Sequence, residues 1–314
     1  MNIILVAAAL IPAVALMIYI YNKDKLEKEP IGLLIGLFFA GVATCIPAGI
    51  IELILSGFLD KLYSGYLFEI DGVLRFASTG KMMSYNFIEN FLIIAVVEEG
   101  MKWLMMYLFT RKSKHFNCYY DGIVYAVFVS LGFAAFENLF YVLDNGLSNA
   151  IVRGLISVPG HMAFAVLMGY YYSAWHINRK AAGFENDLAS RGIIQINDPI
   201  KPKRFLTASF VFPALAHGAY DFLCRLGTVL SVLIFLAFIV FLYIRCFKRV
   251  GQVSKEDERV EVCAIGIISQ KYSPQQSNPA YFEYINNIVD PTGSTVPPEE
   301  EPSDDDTFDY NNFL

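Results

Sequence analysis

Charged side chains are scarce in this 314-residue chain: Asp, Glu, Lys and Arg make up 17% and hydrophobic residues 55%. Ordinary soluble domains hold about 25% charged residues. The deficit excludes a solvated globular domain of average type and points to a membrane protein. Cysteines are few and unpaired in pattern: Cys45, Cys118, Cys224, Cys246 and Cys263 form no CxxC, so neither a disulfide framework nor a cysteine metal site is implied. There is no Gly-rich phosphate loop, no internal repeat, and no feature that would bring in a nucleic acid. The N-terminal apolar run lacks the basic start and the A-x-A-like site of a cleaved signal peptide, and reads as a retained span.

The apolar residues are clustered in runs long enough to cross a hydrocarbon core of about 30 Å. Seven spans are read at about 2–20, 31–58, 87–110, 122–143, 150–175, 205–224 and 226–247, with Pro47 as an expected kink in the second. Loops on one side hold 15 Lys or Arg and those on the other hold five, which places the N-terminus outside and the C-terminus in the cytosol. The fold class expected is therefore all-α, a polytopic bundle over residues 1–250. Residues 251–314 carry 13 Asp or Glu against three Lys or Arg, including Glu299–Glu301 and Asp304–Asp306, and read as a disordered acidic tail. Its short apolar patches, Ala264–Ile268 and Tyr281–Ile288, are the exceptions within it.

Against this background the polar residues inside spans stand out, because a charge near the bilayer centre costs roughly 3 kcal/mol on insertion scales. Span three carries Glu98, Glu99 and Lys102; span four Glu137 and Asn138; span five His161; span six His217 and Asp221. His217 and Asp221 share a helix face, as do Glu98 and Lys102, whereas Glu98 and Glu99 point about 100° apart and cannot face one small site equally. At 1.5 Å per residue, Glu98 lies about 17 Å below the outer edge, His161 about 16 Å, His217 about 12 Å, Glu137 about 9 Å, Asp221 about 6 Å and Lys102 about 22 Å. One polar cavity open toward the outer face accommodates them. Glu52 follows Pro47 near a helix end and reads as an interfacial residue outside the site.

Two chemistries fit such a cavity. A carboxylate with a neutral imidazole can take a proton from water, and a second His with a carboxylate can hold an oxyanion or orient the first group. Alternatively, Glu98, His161 and His217 form a ligand set suited to zinc with an open position for water. The residues by themselves leave both open.

The motifs Val97-Glu98-Glu99-Gly-Met-Lys102-Trp103, Gly132-Phe-Ala-Ala-Phe-Glu137-Asn138, His161 ahead of Gly169-Tyr170-Tyr171, and His217-Gly-Ala-Tyr-Asp221-Phe222 resemble the PrsW family of intramembrane proteases in order, spacing and placement over roughly 1–250. That family is in turn similar to the CAAX-protease and bacteriocin-processing superfamily. Here Lys102 stands at a shorter spacing than the usual basic residue, Ser157 replaces a Phe, and Asp221 stands where Asn is common, which argues against prenyl-protein processing. The resemblance implies a multi-span peptidase of a bacterial plasma membrane that cuts a single-span membrane protein such as an anti-sigma factor. It makes Glu98 the general base, His161 its partner, and His217 with Asp221 the oxyanion or substrate-orienting pair. Glu99 and Lys102 become a tuning charge pair, and Glu137 with Asn138 the support. A proton-coupled transporter is the competing class, since buried Glu, His and Lys also form proton relays; it expects paired repeats, which are not found. A catalytically inactive scaffold acting through the acidic tail is the third.

Overall fold

A computed structural model describes residues 3–70, 73–273 and 278–289. Helices α1 (Ile3–Lys23) and α2 (Ile31–Tyr63) come first. A short hairpin of β1 (Leu67–Ile70) and β2 (Val73–Phe76) follows, paired antiparallel with Leu67 opposite Phe76. The third expected span is composite: α3 (Thr79–Phe87), a π-helical stretch (Ile88–Ile94) and α4 (Ala95–Thr110) run on without a break. Then come α5 (Asp121–Leu155), α6 (Ser157–Ser190), α7 (Lys203–Arg225), α8 (Val229–Lys255), α9 (Val260–Lys271) and α10 (Pro279–Val289).

Helices α5 and α6 form the middle of the bundle. α5 packs against α1, α2 and α6, and α6 packs against α7, α8 and α9. Nearly every residue from Tyr119 to Ala135 is buried, as expected for a helix apolar on all sides and enclosed by others. Gly41 and Gly132 permit the close approach of α2 and α5: a Cβ would lie 1.9 Å from the Val129 carbonyl oxygen at Gly41 and 2.1 Å from the Phe38 carbonyl oxygen at Gly132. Small residues let membrane helices close on each other in this way. Outer faces of α2 and α8, with Phe39, Ile46, Leu53, Leu233 and Phe241, are bare and apolar.

Helices occupy all seven places read from the sequence, and five are long and apolar enough to cross a membrane: Leu5–Lys23, Ile31–Tyr66, Asp121–Val142, Val152–Ser190 and Val229–Lys255. The two that fall short, residues 79–110 and 203–225, are those that carry Glu98, Glu99, Lys102, His217 and Asp221. Spans four and five meet differently from expectation, because α5 continues helical through the expected loop and turns only at Ile156.

The tail expected to be disordered from residue 251 needs correction. α8 runs to Lys255, and α9 packs on α6 with Val260, Cys263, Ala264, Ile267 and Ile268 buried. Those residues recur at helical spacing, so they form one apolar stripe that the acidic average of the segment conceals. Tyr281 of α10 is buried in the same core. The acidic runs at 299–301 and 304–306 lie outside the described residues.

Candidate functional site

The site is built around one ammonium. Lys102 is fully buried, and its Nζ donates to Glu98 Oε2 at 3.0 Å and Glu99 Oε1 at 2.8 Å and lies 3.1 Å from His161 Nδ1. The i,i+4 and i,i+3 spacings on α4 bring both carboxylates within reach of the Lys. An ammonium has three protons and no lone pair, so His161 Nδ1 accepts the third. The His161 ring then carries its proton on Nε2, which faces Glu137 Oε2 at 3.1 Å. Ser130 of α5 donates to the His161 carbonyl at 3.0 Å and ties the two central helices together at this level.

His217 is clamped from the other side. Its Nδ1 lies 2.9 Å from Glu99 Oε1, and its Nε2 lies 3.2 Å from Asp221 Oδ2 and 4.0 Å from Glu98 Oε2. The His217 ring stacks on Phe164, with centroids 4.8 Å apart. Gly218 sets the height of α7 here, because a Cβ would fall 2.6–3.0 Å from three atoms of Phe91 in the π-helical stretch. Widened turns of this type recur at functional sites. Glu137 is held by Arg153 at 3.0 Å. Asn138 does not reach the site: it is buried, donates to the Ala9 carbonyl and accepts from Arg153 Nε.

A cavity of about 950 Å³ opens over these groups, lined by Glu98, Glu137, His161, His217 and Asp221 among others. Glu99 and Lys102 are absent from that lining and have no solvent exposure. The adjacent glutamates are thus divided as their angular offset requires: Glu98 faces the cavity and Glu99 is sealed behind it. Glu99 therefore lies behind the cavity wall, in contact with Lys102 and His217.

Three further charged residues line the cavity: Glu52, Arg153 and Arg225. Glu52, set aside as interfacial, faces the same cavity, and its Oε1 is buried without a hydrogen-bond partner. Its place after Pro47, with apolar residues on either side, was the available signal. In the sequence Arg153 and Arg225 read only as loop charges. Arg153 holds Glu137, and Arg225 pairs with the buried Glu89 at 2.5 Å.

The donors suit a metal ion, in a grouping that differs from the expected one. Ligand atoms of Glu98, Glu99 and His217 converge within 4.8 Å of one another, as do those of Glu98, Glu137 and His161. Glu98, His161 and His217 are not such a set among the described residues; the two rings stand 5.4 Å apart at 83°, each with both nitrogens already facing polar groups. Oxygen and imidazole nitrogen are the donors that zinc accepts. Glu99 Oε2, buried with no partner, is a donor still free.

Fold and site together define a helical membrane protein with a buried carboxylate–imidazole centre. A family profile described as PrsW family intramembrane metalloprotease matches residues 29–244. The chain is 33% identical over 219 residues to Protease PrsW of Geobacillus kaustophilus, covering 70% of this chain and 79% of that protein. It is 32% identical to Protease PrsW of Bacillus subtilis, covering 76% of this chain and 90% of the relative, and 29% identical to that of Clostridioides difficile, covering 75% and 85%. No solved structure matches. The chain belongs to the PrsW family: it is an intramembrane protease and a multi-pass protein of the bacterial cell membrane.

Proposed function

We propose that the chain is an endopeptidase cutting a single-span membrane protein, of the anti-sigma-factor type, with Glu98 as the group that takes the proton from the attacking water. The observation that carries this reading is that Glu98, alone of the adjacent pair, faces a cavity shared with His161, His217 and Asp221. All seven helical segments, the π-interrupted third and α7 included, cross the bilayer in this reading, with the N-terminus outside and the C-terminus in the cytosol. The excess of basic residues in alternate loops supports that orientation.

The catalytic roles follow from the contacts. Water on the cavity side of Glu98 meets a carboxylate whose other neighbour is the Lys102 ammonium, which fixes the side chain in position. Oxyanion stabilisation falls to His217, whose Nε2 is on the cavity side, with Asp221 balancing charge on the ring. His161, anchored at both nitrogens by Lys102 and Glu137, orients Glu98 from the opposite flank. A divalent cation of the zinc type would be held by Glu98 with Glu137 and His161, or by Glu98 with Glu99 and His217, and when bound would acidify water and polarise a carbonyl. The bare apolar faces of α2 beside the cavity, including Ile46, Ile50 and Leu53, suit a membrane-embedded substrate segment.

The test is cleavage of a tagged single-span substrate co-expressed with Glu98→Ala or His161→Ala. Loss of the product band in both, with the protein still inserted at normal levels, is expected. Continued cleavage by either variant refutes the assigned roles.

A further inference from the structure

The other end of the bundle holds a second cavity, of about 530 Å³, which peptide hydrolysis does not use. His176 lies in its wall, about 22 Å along α6 from His161 at 1.5 Å per residue. Lys114 from the segment after α4, Arg179 and Lys180 from α6, and Arg259 at the start of α9 converge on it. Glu261 is the one carboxylate in the lining, and it pairs with Lys180 at 2.6 Å. Both partners of that pair are exposed, so the pair is weak and easily exchanged. Among the described residues neither Lys114 nor Arg259 has a carboxylate at ion-pair distance. Arg179 stacks over Trp175 and donates to the Arg111 carbonyl.

A second observation is independent of this charge. His176 is 6% exposed, and its Nε2 is buried with no hydrogen-bond partner. Its ring is fixed by stacking on Phe116, with centroids 3.7 Å apart and planes at 11°. A buried polar atom without a partner is costly, and a ring so held cannot turn away to find one. Cations without counter-charges beside a fixed imidazole whose Nε2 lacks a partner are the elements of an anion site.

The geometry points to a binding site for a phosphate group in this cavity, formed by Lys114, Arg179, Arg259 and His176. Phosphate offers several acceptor oxygens and carries the charge that three cations can balance. The source is either the headgroup of an anionic phospholipid or a soluble phosphate compound, and both present the same group. A bound phosphate would tie the end of α4, which carries Glu98, to α6, which carries His161. The inference does not depend on the hydrolase reading.

The experiment uses the full chain purified in neutral detergent or in nanodiscs. One arm titrates inorganic phosphate and ADP and follows the melting temperature. The other compares nanodiscs of phosphatidylcholine with and without phosphatidic acid and counts retained lipid by native mass spectrometry. Saturable binding in one arm is expected, and which arm responds identifies the source. The exposed double variant Lys114→Gln/Arg259→Gln should bind about 10-fold more weakly or worse, since charge-assisted contacts are lost. His176→Phe, which can keep the stack on Phe116, should weaken binding while the ligand-free melting temperature is held. No saturable binding in either arm overturns the site, as does equal binding by wild type and the double variant.

Discussion

The division of Glu98 from Glu99 makes a prediction that separates chemistry from scaffold. Glu98→Gln removes the carboxylate facing the cavity but leaves Lys102 paired with Glu99 at 2.8 Å. Loss of a positioned general base costs about 10²–10⁴-fold in rate, while the buried ammonium keeps a counter-charge. Glu99→Gln has the opposite profile. Its carboxylate is fully buried and holds both Lys102 and His217, and breaking a buried pair from one side costs about 3–5 kcal/mol. For a chain of this size that corresponds to a fall in melting temperature of roughly 6–20 °C. The assay is cleavage of a tagged substrate by purified protein in nanodiscs, with thermal unfolding of the same preparations. Glu98→Gln should be inactive and nearly as stable as wild type, and Glu99→Gln markedly less stable. Wild-type turnover by Glu98→Gln, or a Glu99→Gln protein as stable as wild type, would refute the reasoning.

Other outcomes follow from the same contacts. Chelation should remove activity and added zinc restore it, since two Glu/His sets converge on Glu98; full turnover by metal-free protein, measured by elemental analysis, contradicts this. Burial pushes the carboxyls of Asp24 and Asp257 up to about 6 and that of Glu29 up to about 7. The folded state therefore holds more protons than the unfolded one from about pH 4 to pH 7, so stability falls as pH rises through that window and levels off above it. Melting scans between pH 5 and 8 should show the fall, and Asp24→Asn, whose oxygens have no partner, should flatten it. Ending the chain at Glu258 removes five buried residues of α9, each worth about 1.5–3 kcal/mol if large and apolar, and should prevent stable purification.

The membrane class, the places of the helices and the convergence of four spans on one cavity were legible because each rests on one-dimensional signals: apolar runs and the polar residues set within them. What escaped depends on neighbours. Arg153 reads as a loop charge because span four is expected to end near 143, yet α5 continues to Leu155 and delivers the guanidinium to Glu137. Glu52 looked interfacial because its helix was expected to end near residue 58, whereas α2 runs to Tyr63 and keeps Glu52 beside the cavity. The α9 stripe was hidden by averaging over an acidic segment. The zinc set Glu98–His161–His217 was chosen by residue type; the positions of Lys102 and of the ring nitrogens, which sequence does not encode directly, regroup the ligands.

The sealed half of the site accounts for the state of the open half. A buried ion cluster contributes little to stability compared with well-packed apolar residues, so its presence calls for another role. Here Lys102 gives its third proton to His161 Nδ1, which leaves the Nε2 proton for Glu137. Glu99 accepts from His217 Nδ1, which in a neutral ring leaves a lone pair on Nε2 facing Asp221 at 3.2 Å and Glu98 at 4.0 Å. A lone pair and two carboxylates so placed repel unless a positive charge lies among them. A proton on the ring supplies it, and so does a divalent cation on Glu98. These compete for one position, so metal affinity should fall as pH is lowered, and it should rise in Lys102→Met, where the resident ammonium no longer offsets the glutamates. Zinc titration of the two proteins at pH 6 and pH 8 reads both effects, and an affinity unchanged by pH and by the substitution would place the ion elsewhere.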